Sequence, residues 1–276
     1  MMMSLLEFYK KGSKMISSLD NEKIKNVIRL QTKKSARDDQ GLFVVEGVKL
    51  VSEAPEDRIR AVYATERILE ENPWLERYGK LLEPVTDKVF GKMTDTKTPQ
   101  GLLALVEKKE FTLAGLLEGK GSSLKRPFLM FLENVRDPGN LGTIVRMSES
   151  AGVTGIVMSR ETADIYNPKT VRSTMGSIYR MPFTYVDDLI ESIKKADENG
   201  MRVYAAHLNG SSDYYNFDYR QAVGFVIGNE AAGLTDEAAE ASSELVKIPM
   251  EGEVESLNAA VAASVLCFEV SRQRHS

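Results

Sequence analysis

The stretch VGFVIGNEAAGLTDEAAEASSELVKIPMEGEVESLNAAVAASVLCFE, Val223 to Glu269, decides the fold. Its first five residues, Val223 to Ile227, form an unbroken apolar run that reads as a strand buried on both faces. The run stops at Gly228 and Asn229, a turn pair that opens a loop at the strand's carboxyl end. A second apolar strand, Leu245 to Ile248, stops at Pro249 and leads into a loop around Gly252. From Ser256 onward Leu257, Ala260, Val261, Ser264, Val265 and Phe268 recur at helical spacing, so a helix is expected over 256–272 with Ser256 as its cap. Two loops and a helix start therefore converge at one edge of a buried sheet, which is where open α/β folds hold ligands.

Working outward, the pattern around this stretch is that of an α/β domain beginning at Pro127. Strands are expected at Phe128 to Leu132, Gly155 to Met158, Phe183 to Val186 and Arg202 to Ala206, with helices at about 140–151, 168–178, 188–199 and 235–242. Residues 108–126, ending in EGKGSSLKR, are polar and glycine-rich and read as a linker. Ahead of it, residues 20–107 alternate short strands and helices, starting with a helix over 20–37 capped near Asp20 and continuing through GLFVVEGVKLVSEA at 41–54. This is a second, smaller α/β domain, preceded by an arm, 1–19, expected to be flexible or helical.

Composition narrows the function classes. A chain of 276 residues, 42% hydrophobic, can bury the core of two ordinary domains. No apolar run approaches the roughly 20 residues of a membrane span, and MMMSLLEFYKKGSK at the start is too polar for a secretory signal. The single cysteine, Cys267, sits at a helical core position and allows no internal disulfide, which fits a packing role in a reducing cytoplasm. The formal net charge is -4, yet between Lys10 and Arg37 nine basic residues face two acidic ones. That run reads either as a solvated helix face or as a phosphate-binding patch containing Lys33, Lys34 and Arg37. No Cys/His cluster suggests a metal, and neither His207 nor His275 lies in a motif.

Two further stretches carry candidate chemistry. In NVRDPGNLGTIVRMSESAGV, Asn134 to Val153, Asn140 follows a turn and reads as a helix N-cap. Six residues on, Arg146 interrupts the apolar side of Leu141, Ile144, Val145 and Met147, so it is expected to be half-buried and to need an anion. In IGNEAAGLTDE, Gly228, Gly233 and Thr235 match the frame of a phosphate loop, but Leu234 stands where the lysine belongs, which argues against nucleotide hydrolysis. Ile227, Ile248, Met250, Gly252 and Leu257, with the backbone of Gly228, form an apolar cradle suited to an adenine ring.

These three stretches, in this order, resemble the signature motifs of the SpoU (TrmH-like) class of SPOUT RNA 2′-O-ribose methyltransferases. FVVEG and PQGLLAL in the first domain resemble the ribosomal-protein-like recognition domain found ahead of many such enzymes. The resemblance implies a mostly parallel sheet with a deep C-terminal trefoil knot that binds S-adenosylmethionine, preceded by a small α/β RNA-recognition domain, and a homodimer formed through the knotted domain. It also implies an active site containing Asn140, Arg146, Glu230, Ser256 and Asn258, with Asn258 also at the cofactor. Arg146 would stay charged, clamp a phosphate and stabilise the developing alkoxide, since guanidinium hardly ever gives up its proton. In NPKTVRSTMGS, 167–177, Arg172 reads as touching RNA or a partner subunit, or as a surface cation. The implied function is S-adenosylmethionine-dependent 2′-O-methylation of structured RNA, ribosomal RNA ahead of transfer RNA, with a non-catalytic RNA-binding relative and a base methyltransferase as the rivals.

Overall fold

The computed structural model describes residues 15–119, 126–208, 210, 212–254 and 256–276. The chain divides into two compact units. The first holds the described residues up to Lys109 together with Tyr166–Tyr179, and the second holds Glu110–Ile165 and Arg180–Ser276.

The first unit begins with α1 (Glu22–Thr32) and α2 (Lys34–Gln40), where the sequence suggests one helix. Lys33 between them is extended, at φ -119° and ψ 118°, so the helix breaks and restarts. The cap is Asn21, whose side chain accepts from the Lys23 amide, and not Asp20. Then follow β1 (Leu42–Glu46), α3 (Val48–Glu53), β2 (Ile59–Ala64), α4 (Glu66–Glu71), β3 (Leu82–Pro84), α5 (Asp87–Met93) and β4 (Leu102–Glu107). The sheet order is β1-β4-β2-β3, with β4 antiparallel to both neighbours and β3 parallel to β2. Ile24, Val27 and Leu30 of α1 and Val89, Phe90 and Met93 of α5 share one core on one face of this sheet with Val44, Tyr63, Leu103 and Leu105. At the end of β1, the Glu46 carboxylate accepts from the Thr94 and Thr96 hydroxyls at 2.6 and 2.8 Å. The Gly47 amide donates to the Leu102 carbonyl at 2.9 Å and the Val48 amide to Gln100 Oε1 at 3.0 Å, so the FVVEG and PQGLLAL stretches are neighbours.

The second unit starts with α6 (Leu113–Leu117), inside the stretch that reads as a linker; Leu116 is buried there against the main sheet. Residues 120–125 of that stretch, and 1–14 of the expected arm, lie outside the described residues. Along the chain come β5 (Phe128–Leu132), α7 (Pro138–Ala151), β6 (Gly155–Ser159), then α8 (Pro168–Thr174), which belongs to the first unit, and β7 (Phe183–Val186), α9 (Leu189–Glu198) and β8 (Arg202–Ala206). The last elements are β9 (Ser212–Asp213), β10 (Val223–Ile227), α10 (Asp236–Ala241), β11 (Glu244–Lys247) and α11 (Ala259–Arg274). The sheet order is β7-β6-β5-β10-β8-β11-β9, and every pairing is parallel.

Parallel strands covered on both faces should read as continuous apolar runs, and β5, β6 and β10 are buried at all five positions. Leu129 and Phe131 share a core with Leu189, Ile193 and Ala196 of α9. On the opposite face Cys267 of α11 lies against Met130, sulfur to sulfur 3.3 Å, and α7 packs along α11. Burial pushes the Cys267 thiol well above its ordinary value, as suits a packing residue.

Candidate active site

The carboxyl ends of β10, β8 and β11 and the start of α11 enclose a cleft of about 470 Å³, within the roughly 300–1,000 Å³ range of small-molecule sites. Ile227, Gly228, Ile248, Met250 and Leu257 line it, as the sequence reading expects, while Gly252 and Asn258 are not among the lining residues. Val246, Ala259 and Ala262 add apolar wall, and Ala206, His207 and Leu208 close it from the end of β8. The loop that forms its rim is held tightly. Asn229 and Gly233 exchange backbone hydrogen bonds at 2.9 and 3.0 Å, and the Asn229 side-chain oxygen accepts from the Ala231 and Ala232 amides. Gly228 has to be glycine: a Cβ there would lie 2.4 Å from the Gly233 backbone.

The loop is also tied to the end of β5. The Asn229 side-chain Nδ2 donates to the Asn134 carbonyl at 2.7 Å, and the Glu133 carboxylate accepts from the Thr235 amide and hydroxyl at 2.9 and 2.7 Å. Asn134 itself adopts a left-handed backbone, φ 57°, which asparagine tolerates; Ser159 Oγ bonds both its amide and its side chain.

Beside the cleft, three side chains form a line. Asn258 donates to Asn140 Oδ1 at 3.0 Å, and Asn140 donates to Glu230 at 3.0 Å. The Arg136 and Asp137 amides also donate to Glu230, at 3.3 and 3.2 Å. Burial opposes the charge on Glu230, but the hydrogen bonds from Asn140, from its own amide and from Arg136 and Asp137 outweigh it and hold the carboxyl below the usual range.

The caps differ from the sequence expectation. Asp137 caps α7 by accepting from the Asn140 amide, so Asn140 is inside the first turn with its side chain released for the line. Asn258, not Ser256, caps α11, which starts at Ala259. Ser256 is exposed, lines the cleft and makes no hydrogen bond among the described residues. Arg146 is not half-buried: it lies on the outer side of α7, exposed, and its guanidinium makes no hydrogen bond or ion pair among the described residues.

Residues 127–268 match the SpoU rRNA Methylase family, and 21–104 match an MRM3-like substrate binding domain. The chain belongs to the SpoU rRNA methylase family. Over 267 residues it is 31% identical to the 23S rRNA (guanosine(2553)-2′-O)-methyltransferase RlmP of Bacillus subtilis, covering 93% of this chain and 99% of that one. A crystal structure of an AdoMet-bound rRNA methyltransferase from Sinorhizobium meliloti superposes with a TM-score of 0.80 at 33% identity, covering 94% and 97% of the two chains. The AdoMet complex of the SpoU methyltransferase AviRb from Streptomyces viridochromogenes gives 0.80 at 26% identity, over 93% and 99%.

In this SpoU chain two of the expected RNA contacts are occupied internally. Arg37 is 3% exposed and its guanidinium donates to the Leu30 carbonyl at 2.7 Å, capping the end of α1. Arg172 makes a two-pronged pair with Asp95 at 2.6 and 3.2 Å. Lys33 and Lys34 are exposed, while Lys10, Lys11 and Lys14 lie outside the described residues. The sequence reading passed over Asp137, Glu133 and His207; the first two sit in or beside the motif already singled out, whereas only the order of the strands puts His207 at the cleft. Among the described residues no helix is long and apolar enough to cross a membrane, and no cluster of His, Cys, Asp and Glu could hold a metal.

Proposed function

We propose that this chain transfers a methyl group from S-adenosylmethionine to a ribose 2′-oxygen in structured ribosomal RNA. The observation that carries the reading is the hydrogen-bonded line Asn258–Asn140–Glu230 alongside a cleft lined, among the described residues, by no lysine or arginine. S-Adenosylmethionine is cationic at sulfur, so a cleft with an ionised Glu230 and no lysine or arginine among its described residues suits it better than it suits a nucleoside phosphate. Ile227, Val246, Ile248 and Leu257 would hold the adenine, with the backbone at Gly228 approaching closely.

When bound, the cofactor supplies an electrophilic methyl that needs no metal. The chain's own residues then have to position the ribose oxygen and meet its negative charge. Asn140 and Asn258 are neutral and fixed by each other, so they orient without competing for the proton. Ser256 has an unengaged hydroxyl at the cleft wall. Glu230, held ionised, keeps the Asn140 amide directed and the loop closed. Arg146 is free to take a phosphate next to the target ribose, and the proton leaves to a phosphate or to water.

The carboxyl-terminal threading of the SPOUT family and a homodimer belong to the same reading. Val261 and Phe268, 48% and 49% exposed on one side of α11, support an interface with a second copy. The likeness to ribosomal RNA enzymes over nearly the whole chain supports ribosomal ahead of transfer RNA, and with it a cytoplasmic location.

Incubation with labelled S-adenosylmethionine and ribosomal RNA, followed by nuclease digestion, tests this directly: label in a 2′-O-methylnucleoside is expected. Label on a base, or heat of cofactor binding with no transfer to any RNA, removes the reading. Arg146→Ala should lower single-turnover transfer by about a hundredfold or more, the scale of losing one electrostatic partner of a developing oxyanion, with cofactor affinity nearly unchanged by calorimetry. Equal loss of both contradicts the role given to it.

A further inference from the structure

We propose that the outer faces of α1 and α5 together form the surface of the first unit that takes the phosphate backbone of the substrate RNA, through Arg29, Lys33, Lys88 and Lys92. The inference rests on the RNA-methylating reading and names where that RNA is held.

Both helices lie on the same face of the first sheet and pack against each other, their apolar sides meeting in one core. Gln31 of α1 donates to the Met93 carbonyl at the end of α5, 3.0 Å, which fixes the pair in register. On α1 the buried side is Ile24, Val27 and Leu30, which puts Arg29 on the solvent side, and Lys33, the extended residue just after the helix, is exposed as well. On α5 the buried side is Val89, Phe90 and Met93, which puts Lys88 and Lys92, four apart, on the same outward side. None of these four charged side chains has a hydrogen bond or salt bridge among the described residues. The acids on this side are few: Glu22 is paired with Lys25 at 2.9 Å, its field also reaching Arg29, and Asp87 stands at the start of α5.

Elsewhere on the unit the usual arrangement is the opposite. Arg60 pairs with Glu107, Arg67 with Glu71, Arg77 with Glu56 and Lys108 with Asp38. Like charges four apart on a helix, as Lys88 and Lys92 are on α5, repel and cost stability, so that pair, with the unpaired Arg29 and Lys33 side chains at the end of α1 in a chain of net charge -4, is a concentration the fold does not need. A row of mobile cations over two neighbouring helices suits a polyanion with regularly spaced charge, and phosphate contacts give affinity and register without reading sequence. Both helices fall inside the segment that matches a substrate binding domain.

The test uses the full-length chain and a pool of fluorescently labelled, structured fragments of bacterial ribosomal RNA, with affinity measured over a range of KCl. The variant R29Q/K33Q/K88Q/K92Q is compared with a charge-matched control in the second unit, K194Q/K195Q/R202Q/R220Q. The surface variant should bind more weakly and lose about 3 from the slope of log K against log salt, at roughly 0.7–0.9 per phosphate contact. The half variant K33Q/K92Q should lose about half of that. Thermal midpoint and cofactor affinity should match wild type, since all four residues are exposed and far along the chain from the cleft residues. An unchanged slope overturns the proposal, as does an equal loss in the control, which would mean bulk charge only. Absence of salt-dependent RNA binding by wild type also overturns it and would point to an acidic protein partner. Salt-dependent binding at this face with no methyl transfer to RNA would leave the surface standing and remove the enzymatic reading.

Discussion

At the scale of single residues, Asn258 shows why the site needs an amide. Its Oδ1 accepts from the Ala260 and Val261 amides, which caps α11, while its Nδ2 donates to Asn140. Only a side chain with both an acceptor and a donor can do both. Asn258→Asp keeps the cap but loses the donor, so its thermal midpoint should stay near wild type while transfer falls at least tenfold. Asn258→Ala should lose transfer and also about 1 kcal/mol of stability, the usual worth of a cap; denaturant unfolding with methyl-transfer assays on both variants separates the two jobs. Glu230 gives a pH signature. Its folded carboxyl is held below its ordinary 4.5, so it contributes stability that is present above that value and is lost as the pH falls through the depressed one. Glu230→Gln should therefore lose less stability than wild type between pH 7 and pH 3, read as the shift in urea midpoint. The sequence exposes the identities of these residues because their spacing is motif-like, but not their geometry. Several Asx and Ser side chains lie within one turn of each helix start, and which of them caps depends on where the backbone enters the helix. Arg146 was legible in principle: with Thr143 and Ser150 it falls on the side of α7 away from Leu141, Ile144, Val145 and Ser148. Arg37 was not, because its burial follows from the break at Lys33, which nothing in the local apolar spacing announces.

At the scale of elements, the rim loop from Gly228 to Thr235 lines the cleft and is the part on which cofactor binding depends in the proposed function. It is closed on itself by the Asn229–Gly233 pair and anchored to β5 by Glu133. Gly228→Ala would place a methyl 2.4 Å from the Gly233 backbone, so the rim must open. Calorimetric affinity for S-adenosylmethionine should fall at least tenfold with circular dichroism unchanged. Glu133→Ala removes an acceptor for two donors, worth about 1 kcal/mol, and should raise the cofactor KM several-fold while kcat moves less. Retained cofactor affinity in both variants would show that the rim does not shape the site. The strands were the most legible elements, since a strand covered on both faces has no polar phase to confuse its limits, as Phe128–Leu132 and Val223–Ile227 show. The two-residue β9 and the five-residue α6 were not, being too short to show a period.

At the scale of the whole molecule, the linear reading of two domains misses that 166–179 folds with the first unit. Arg172 pairs with Asp95 there, Tyr179 donates to the Leu50 carbonyl at 2.9 Å, and Tyr166 lies against Phe43, ring centres 4.6 Å apart. A segment that lies between two strands of one unit and packs on the sheet of the other leaves no trace in composition or periodicity. The same scale governs assembly. α11 buries Ala263, Leu266, Cys267 and Val270 against its own unit, yet Val261 and Phe268, seven residues apart and so on one side, remain about half exposed. An isolated exposed apolar residue means little, but two in line on a helix that starts beside the proposed active site would couple assembly to catalysis if a second copy covered them. If a second copy covers them, V261D/F268E should sediment as a monomer where wild type sediments as a dimer. Its isolated fold should persist, because neither side chain is in the core, while methyl transfer falls with the loss of the dimer. A wild-type chain that sediments as a monomer at micromolar concentration, or a variant that stays dimeric, would take the partner copy out of the site.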